Sequence, residues 1–292
     1  MGTEFTIKIW APSSSTESLT KLADFAFDRI EELNRKFSDY LPESEINMLA
    51  KAPADVPFPV SKDLFEILER SVALSEETKG SFEVTAGPLI RLWRMAKKNR
   101  VLPTDEQVDR AKTRTGSELL ELDSKNLTVT KKREGMLLDL GGIAKGFAGD
   151  EVIRIVREAG HDRVLVAASG DIVVGEPPPG EPGWRIGIES LEIGVAADAI
   201  DTVLLRNEAI STSGDARQYI EFDGVRYSHI VSTETGFGLT ERIAVSVLAP
   251  DATTSDSYAT AVSVMGAEKG LAWIESKEEV ECRIVFLEGE EE

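Results

Sequence analysis

The stretch that most constrains this chain is Leu138-Asp139-Leu140-Gly141-Gly142-Ile143-Ala144-Lys145-Gly146-Phe147-Ala148-Gly149-Asp150. It follows a strand-like Leu127-Thr128-Val129-Thr130 and a turn over 131–135. It then opens a predicted helix in which Val152, Ile155 and Val156 share an apolar face. Strand, glycine turn and helix start together suit a phosphate. Adjacent glycines let the backbone come close, a helix start presents unpaired N–H groups, and Lys145 adds positive charge. The spacing matches neither a Walker loop nor a dinucleotide fingerprint. Two readings therefore stand: a phosphate site, or a tight structural turn beside a surface lysine.

Charge narrows the ligand. The chain carries 52 acidic against 33 basic residues, a formal charge of -19, which repels polyanions and argues against nucleic acid as a partner. A phosphorylated ligand would need backbone N–H groups, Lys145 or a bound cation to offset that field, so a carboxylate-bearing metal site is worth seeking. With 292 residues, 41% of them hydrophobic, the chain can bury a core as one large domain or two intimately joined ones. Cys282 is the single cysteine and makes no internal disulfide. No apolar run approaches the roughly 20 residues of a membrane-spanning helix.

Periodicity predicts an α+β fold with an antiparallel sheet. Phe5 to Trp10 alternates as a strand, and residues 18–33 place Leu22, Phe25, Ala26, Ile30 and Leu33 on one helical side. Ser61 and Thr104 are positioned to cap helices. Residues 81–89 read as a helix-to-helix connection or as a loop shaped for an aromatic or nucleotide ligand. Val164 to Ala168, Ile172 to Gly175, Trp184 to Ile188, Ile243 to Leu248 and Ile284 to Leu287 read as strands, and Asp223-Gly224 as a hairpin turn. Residues 209–215 read as a polar break, and residues 255–265 as a helix.

Within that last helix Asp256 and Thr260 are four apart, so both can face one point and offer oxygen atoms suited to Mg²⁺. The alternative is a capping aspartate and a small core threonine. His229 and His161 are the two histidines. An imidazole titrates near neutrality, although an isolated histidine is more often structural; His161, beside Asp162 and Arg163 at a helix-to-strand turn, fits the structural role. Tyr40 reads as a packed aromatic or as a stacking partner for a ligand.

Taken in order, Met1-Gly2-Thr3, Phe37-Ser38-Asp39-Tyr40, Ser81-Phe82-Glu83-Val84-Thr85, Asp139-Leu140-Gly141-Gly142-Ile143-Ala144-Lys145-Gly146, Thr212-Ser213-Gly214-Asp215, Tyr227-Ser228-His229-Ile230 and Asp256-Ser257-Tyr258-Ala259-Thr260-Ala261 span most of the chain. Together they resemble the FAD:protein FMN transferase family, historically named ApbE or thiamine-biosynthesis lipoprotein. The resemblance implies a T-fold-like architecture over residues 1–292, with an antiparallel sheet and packed helices, built as a single catalytic domain or two joined lobes. It implies Mg²⁺-dependent transfer of the FMN portion of FAD to a threonine or serine of an acceptor flavoprotein, releasing AMP. Two alternatives remain: an FAD pyrophosphatase yielding FMN and AMP, and a non-catalytic flavin-binding protein.

By the same resemblance Met1, Tyr40, Ser81, Phe82, Glu83 and Asp139 fall at flavin-nucleotide positions. The Gly142 carbonyl, Asp256 and Thr260 fall at metal positions, and His229 at the transfer histidine. Lys145 would assist Asp256 and the metal electrostatically. Three segments depart from the family pattern. Glu83 replaces the commoner aspartate, Val231 to Gly236 lacks the usual Asp-Pro, and Ala168-Ser169-Gly170-Asp171 is less glycine-rich. The implied partner is an FMN-acceptor protein, a membrane redox-complex subunit among the candidates. The implied location is extracytoplasmic or periplasmic through a lipidated amino-terminal cysteine absent near Met1, with the cytoplasm as runner-up.

Overall fold

The structure is a computed structural model that describes residues 2–188, 201–214 and 219–287. Met1, Asp215 and the acidic tail 288–292 lie outside the described residues. In chain order, β1 (Phe5–Ile9), α1 (Thr16–Phe37), α2 (Glu45–Lys51), β2 (Phe58–Pro59), α3 (Lys62–Glu77), α4 (Gly87–Asn99) and α5 (Asp105–Lys112) come first. Next are β3 (Leu120–Asp123), β4 (Thr128–Lys131), α6 (Ala144–Glu158), β5 (Val164–Ala168), β6 (Asp171–Val174), β7 (Trp184–Gly187) and β8 (Thr202–Leu205). β9 (Ala209–Gly214), β10 (Tyr219–Phe222), β11 (Val225–Ser228), β12 (Ile243–Ala249), α7 (Ala252–Met265), α8 (Ala267–Ile274) and β13 (Glu281–Phe286) complete the described chain. This is the expected mixed α+β fold with antiparallel sheets and packed helices.

The chain divides into two compact units. The first comprises Met1–Leu33, Gly142–Ala216 and Ile243–Glu292. Six of its described strands form an antiparallel sheet in the order β1-β5-β6-β9-β12-β13, and β7 pairs with β8 in a separate antiparallel ribbon. Strand alternation explains why both faces are apolar. Val164, Val166 and Val173 pack with Val152 and Val156 of α6 and with Ala26 and Ile30 of α1. Their neighbours Leu165 and Val174 turn the other way, onto Ile186 of β7 and Leu205 of β8. α7 lies along β9 and β12, where Ala259 and Val262 meet Val245 and Val247.

The polar break expected at 209–215 is instead β9, an interior strand of this sheet. Its hydroxyls are satisfied internally, Ser211 against Ser255 of α7 and Thr212 against Ser246 of β12, each at 2.8 Å. A serine-rich strand can be buried when its partners are serines, and no apolar alternation announces it. Lys131, expected in a turn, is the buried last residue of β4 and donates to the Ala50 carbonyl at 2.6 Å.

The second unit comprises Asn34–Gly141 and Arg217–Arg242. Its described strands form a β2-β4-β3 sheet and the β10–β11 hairpin. The hairpin turns at Asp223-Gly224 as expected, with φ of 48° and 79° at the two positions. Trp93 of α4 centres the core among Leu89, Val108, Ala111 and Ile220, and its indole N–H donates to the Ser228 carbonyl at 3.0 Å. Ser61 and Thr104 cap α3 and α5 as the sequence indicates, Thr104 with Gln107 in a capping box.

α7 starts three residues earlier than expected, because Asp251 is its cap and accepts from the Thr254 N–H at 2.9 Å. Asp150 of α6 adds a second carboxylate, accepting from the Ala252 and Thr253 N–H groups at 2.8 Å each and from the Thr253 hydroxyl. Gly146 permits the approach of the two helices: a Cβ there would lie 2.1 Å from the Ala252 carbonyl oxygen. Burial, reinforced by the Asp251 charge, pushes the Asp150 carboxyl up to about 6 in spite of those hydrogen bonds. Asp150→Ala leaves helix-start donors without their acceptor and should cost about 2 kcal/mol in urea unfolding. Because the folded pKa exceeds an unfolded value of about 3.9, the Asp150 contribution is full below that pH and lost as pH rises through about 6. The deficit of the variant should therefore shrink between acid and neutral pH.

Candidate functional site

In the first unit, Lys145 lies in the first turn of α6. Its ammonium sits 3.1 and 3.3 Å from the two carboxylate oxygens of Asp256 and 3.3 Å from Asp171. Asp256 and Asp171 are only 4% and 6% exposed, and the Lys145 side chain 22%. The Gly146 N–H donates to Asp256 at 3.1 Å, so the start of α6 already holds an anion supplied by the protein. The Ser211 hydroxyl hydrogen-bonds Asp171, at the start of β6.

The charges are unequal in number, and that governs their titration. Burial raises the Asp171 carboxyl, the nearby Asp256 charge raises it further, and Lys145 only partly offsets both, leaving it pushed up to about 7. Burial also works against the Lys145 ammonium, but Asp171 and Asp256 outweigh it and hold the lysine above its ordinary range. The surface-lysine alternative fails: this ammonium is clamped between two buried carboxylates.

Since Asp251 is the cap of α7, the capping reading of Asp256 fails as well. Asp256 lies inside the helix with Thr260 one turn further on. The Thr260 side chain also packs on Gly142, where an added Cβ would come 2.8 Å from its hydroxyl oxygen. Asp256 carboxylate, Thr260 hydroxyl and Gly142 carbonyl are hard oxygen donors that fit Mg²⁺. Among the described residues no group of three or more His, Cys, Asp or Glu side chains is arranged to hold a metal ion, so neutral oxygens must complete any cation shell.

In the second unit, the Tyr40 ring is 68% exposed and stacks on Arg94, whose guanidinium carbon lies 4.6 Å from the ring centroid. Arg94 also donates to Asp139 at 2.8 Å and to Asp39. The other Asp139 oxygen accepts from the Gly141 N–H at 2.8 Å, shaping the entry to the glycine pair. Glu83 spends its carboxylate on the protein, accepting from the Thr85 N–H and hydroxyl at 2.9 and 2.7 Å and from the Ser75 hydroxyl and Ser117 N–H at 2.7 and 3.0 Å. Phe82 is 3% exposed and packed inside, and Ser81 is half-buried beside it. A cavity of about 450 Å³ opens beside Glu83, lined also by Lys79, Gly80, Lys112, Gly116 and Thr233. His229 is exposed on the bend after β11.

The structure thus brings Gly142, Lys145, Asp256 and Thr260 together in one unit, and Tyr40 and Asp139 together around Arg94 in the other. Sequence reasoning missed Asp171 and Arg94 as members of these clusters. The signal for Asp171 was a carboxylate opening an apolar strand; Arg94, on an ordinary amphipathic helix, offered none.

The model of the ApbE family matches residues 1–284. The chain is 34% identical over 284 residues to an FAD:protein FMN transferase of Vibrio cholerae serotype O1, covering 95% of this chain and 83% of that protein. It is 29% identical to one of Haemophilus influenzae, covering 93% and 80%. Among solved structures, the flavin transferase ApbE from Vibrio cholerae superposes with a TM-score of 0.85 at 31% identity, covering 98% of this chain and 90% of that one. The flavinyl transferase ApbE of Pseudomonas stutzeri does so with a TM-score of 0.84 at 30% identity, covering 98% and 88%.

Lys145→Ala leaves two buried carboxylates without their cation and should destabilise the protein by about 3–5 kcal/mol. Protonation relieves that repulsion, so the loss should be smaller at pH 5 than at pH 8. Guanidinium unfolding at both values checks it; equal losses would show that the ammonium does not balance these acids.

Proposed function

Because the chain belongs to the ApbE family, we propose that it transfers the FMN portion of FAD to a threonine or serine hydroxyl of an acceptor protein, releasing AMP. The observation that carries this reading is the oxygen-rich cluster of Asp256, Thr260 and Gly142 around the start of α6, with Lys145 held against it. In the transfer, the acceptor oxygen bonds to the FMN phosphorus and the bridging P–O bond breaks. The bonding pair leaves on AMP, and the acceptor proton goes to a base, the role given to His229. When bound, Mg²⁺ would polarise the pyrophosphate and stabilise charge on the departing phosphate.

The protein side of the reaction is alignment and charge. Asp256, Thr260 and the Gly142 carbonyl would hold the cation. Lys145 brings a permanent positive charge toward phosphate oxygens, and Asp171 keeps that ammonium in place. Tyr40 offers an exposed ring face to a planar ligand. Ser81, Phe82, Glu83, Asp139 and Met1 are assigned to the flavin nucleotide by resemblance. For Phe82 and Glu83, burial and internal hydrogen bonds favour a role in shaping the backbone over direct side-chain contact. The acceptor, with a membrane redox-complex subunit among the candidates, and the extracytoplasmic setting rest on the resemblance alone.

Incubation with FAD, Mg²⁺ and a cognate acceptor should add the mass of one FMN to the acceptor in denaturing mass spectrometry while AMP appears. AMP with free FMN and no labelled acceptor would instead make the protein a pyrophosphatase, and tight FAD binding without AMP a flavin carrier. Asp256→Asn, which keeps size and removes charge, should shift the Mg²⁺ requirement upward by at least about tenfold with the fold retained; Thr260→Ala should shift it less. Unchanged metal dependence in both would remove them from the metal site. His229→Ala should slow transfer by about 10²-fold without abolishing it.

A further inference from the structure

Arg94 takes no part in the reaction as derived above, yet it engages three side chains at once. Asp39 and Asp139 each accept one of its N–H donors, and its guanidinium carbon lies over the Tyr40 ring, 4.6 Å from the centroid. Tyr40 nonetheless stays 68% exposed, so much of its ring surface is accessible to a ligand. An exposed tyrosine ordinarily samples several rotamers, and ordering it on binding costs affinity. Here the guanidinium is itself fixed by two carboxylates, a fork that a single ammonium cannot reproduce. The ring is therefore held flat before any ligand arrives.

We propose that Arg94 is a positioning residue for flavin recognition: anchored by Asp39 and Asp139, it fixes Tyr40 as a preformed stacking platform for the isoalloxazine ring. This rests on the flavin reading of the preceding section and adds a residue to it. The chemistry that fits the platform is a broad planar ring laid on the accessible tyrosine face, where contact area sets the gain. Isoalloxazine, three fused rings wide, covers more of such a face than the two-ring adenine does. Arg94 therefore acts on ligands that carry the flavin ring and not on AMP.

The test measures equilibrium binding of FMN, riboflavin and AMP to the full chain and its Arg94→Gln, Arg94→Lys and Tyr40→Ala variants, with thermal unfolding recorded for each. Arg94→Gln should raise the Kd for FMN and riboflavin about three- to tenfold, the cost of ordering one or two side chains. It should leave the AMP Kd unchanged and reduce the quenching of flavin fluorescence in the complex. Arg94→Lys, which keeps the charge without the fork, should fall between; it supplies the measurement if the glutamine variant does not fold. In the Tyr40→Ala background Arg94→Gln should add no further loss, because the platform it supports is gone. Unchanged flavin binding in Arg94→Gln, an equal loss for AMP, or a full additional loss without Tyr40 would each overturn the proposal. Failure of the unmodified protein to bind any flavin would sink the functional reading itself and would be seen before any variant is compared.

Discussion

The constraint on which the first unit turns is one ammonium shared by two buried carboxylates. Asp171 and Asp256 outnumber the Lys145 ammonium two to one while both are buried, an arrangement that burial alone would not tolerate. Three reliefs are open to it. Hydrogen bonds from the Gly146 N–H and from Ser211 spread the charge, a proton can settle on Asp171, or a divalent cation can share Asp256. The first is built into the fold. The second follows solution pH, and the third is the part that the proposed Mg²⁺ would play.

Holding such a cluster requires that its three supports be stiff, and each is stiffened by a different device. Lys145 depends on α6 lying close to α7, which Gly146 permits by having no side chain and which Asp150 enforces by accepting from the first N–H groups of α7. Asp256 depends on α7 starting at the right residue, fixed by the Asp251 cap. Asp171 depends on the β6–β9 pairing, where it stands opposite Ser211. A shift of α7 by one residue would rotate Asp256 by about 100° away from Lys145, so the cap and the carboxylate it positions are one design.

These devices differ in how far the sequence reveals them. Local rules were legible: Asp223-Gly224 demanded left-handed backbone, Ser61 and Thr104 stood before amphipathic runs, and Gly141-Gly142 marked a close approach. Asp256 and Thr260 were legible as a pair because helical spacing is local. β9 was not, because after Ala209 and Ile210 it continues with hydroxyl side chains, and the partners of Thr212 and Ser211 lie 34 and 44 residues away. The start of α7 was placed late because Ala252, Thr253 and Thr254 carry no strong helical signal, and the long-range acceptor that holds their end of the helix, Asp150, lies about 100 residues earlier in the chain. Asp171 and Arg94 share that difficulty: a lone charged residue becomes informative when its counter-charge is known, and pairing across the chain leaves no periodic trace.

The carboxylates of the two units have correspondingly different chemistry. Glu83 accepts from four donors, and Asp139 accepts from Gly141 and Arg94, so their charge is spent on shaping backbone and aromatic surface. Such groups act by fixing the local outline of the protein. Asp171 and Asp256 instead share one ammonium, so the protein answers their charge only in part. The overall charge of -19 therefore says little about where a cation binds. What governs each acid is the balance between its charge and the donors that face it, and for Asp171 and Asp256 that balance is struck by a single ammonium at the start of α6.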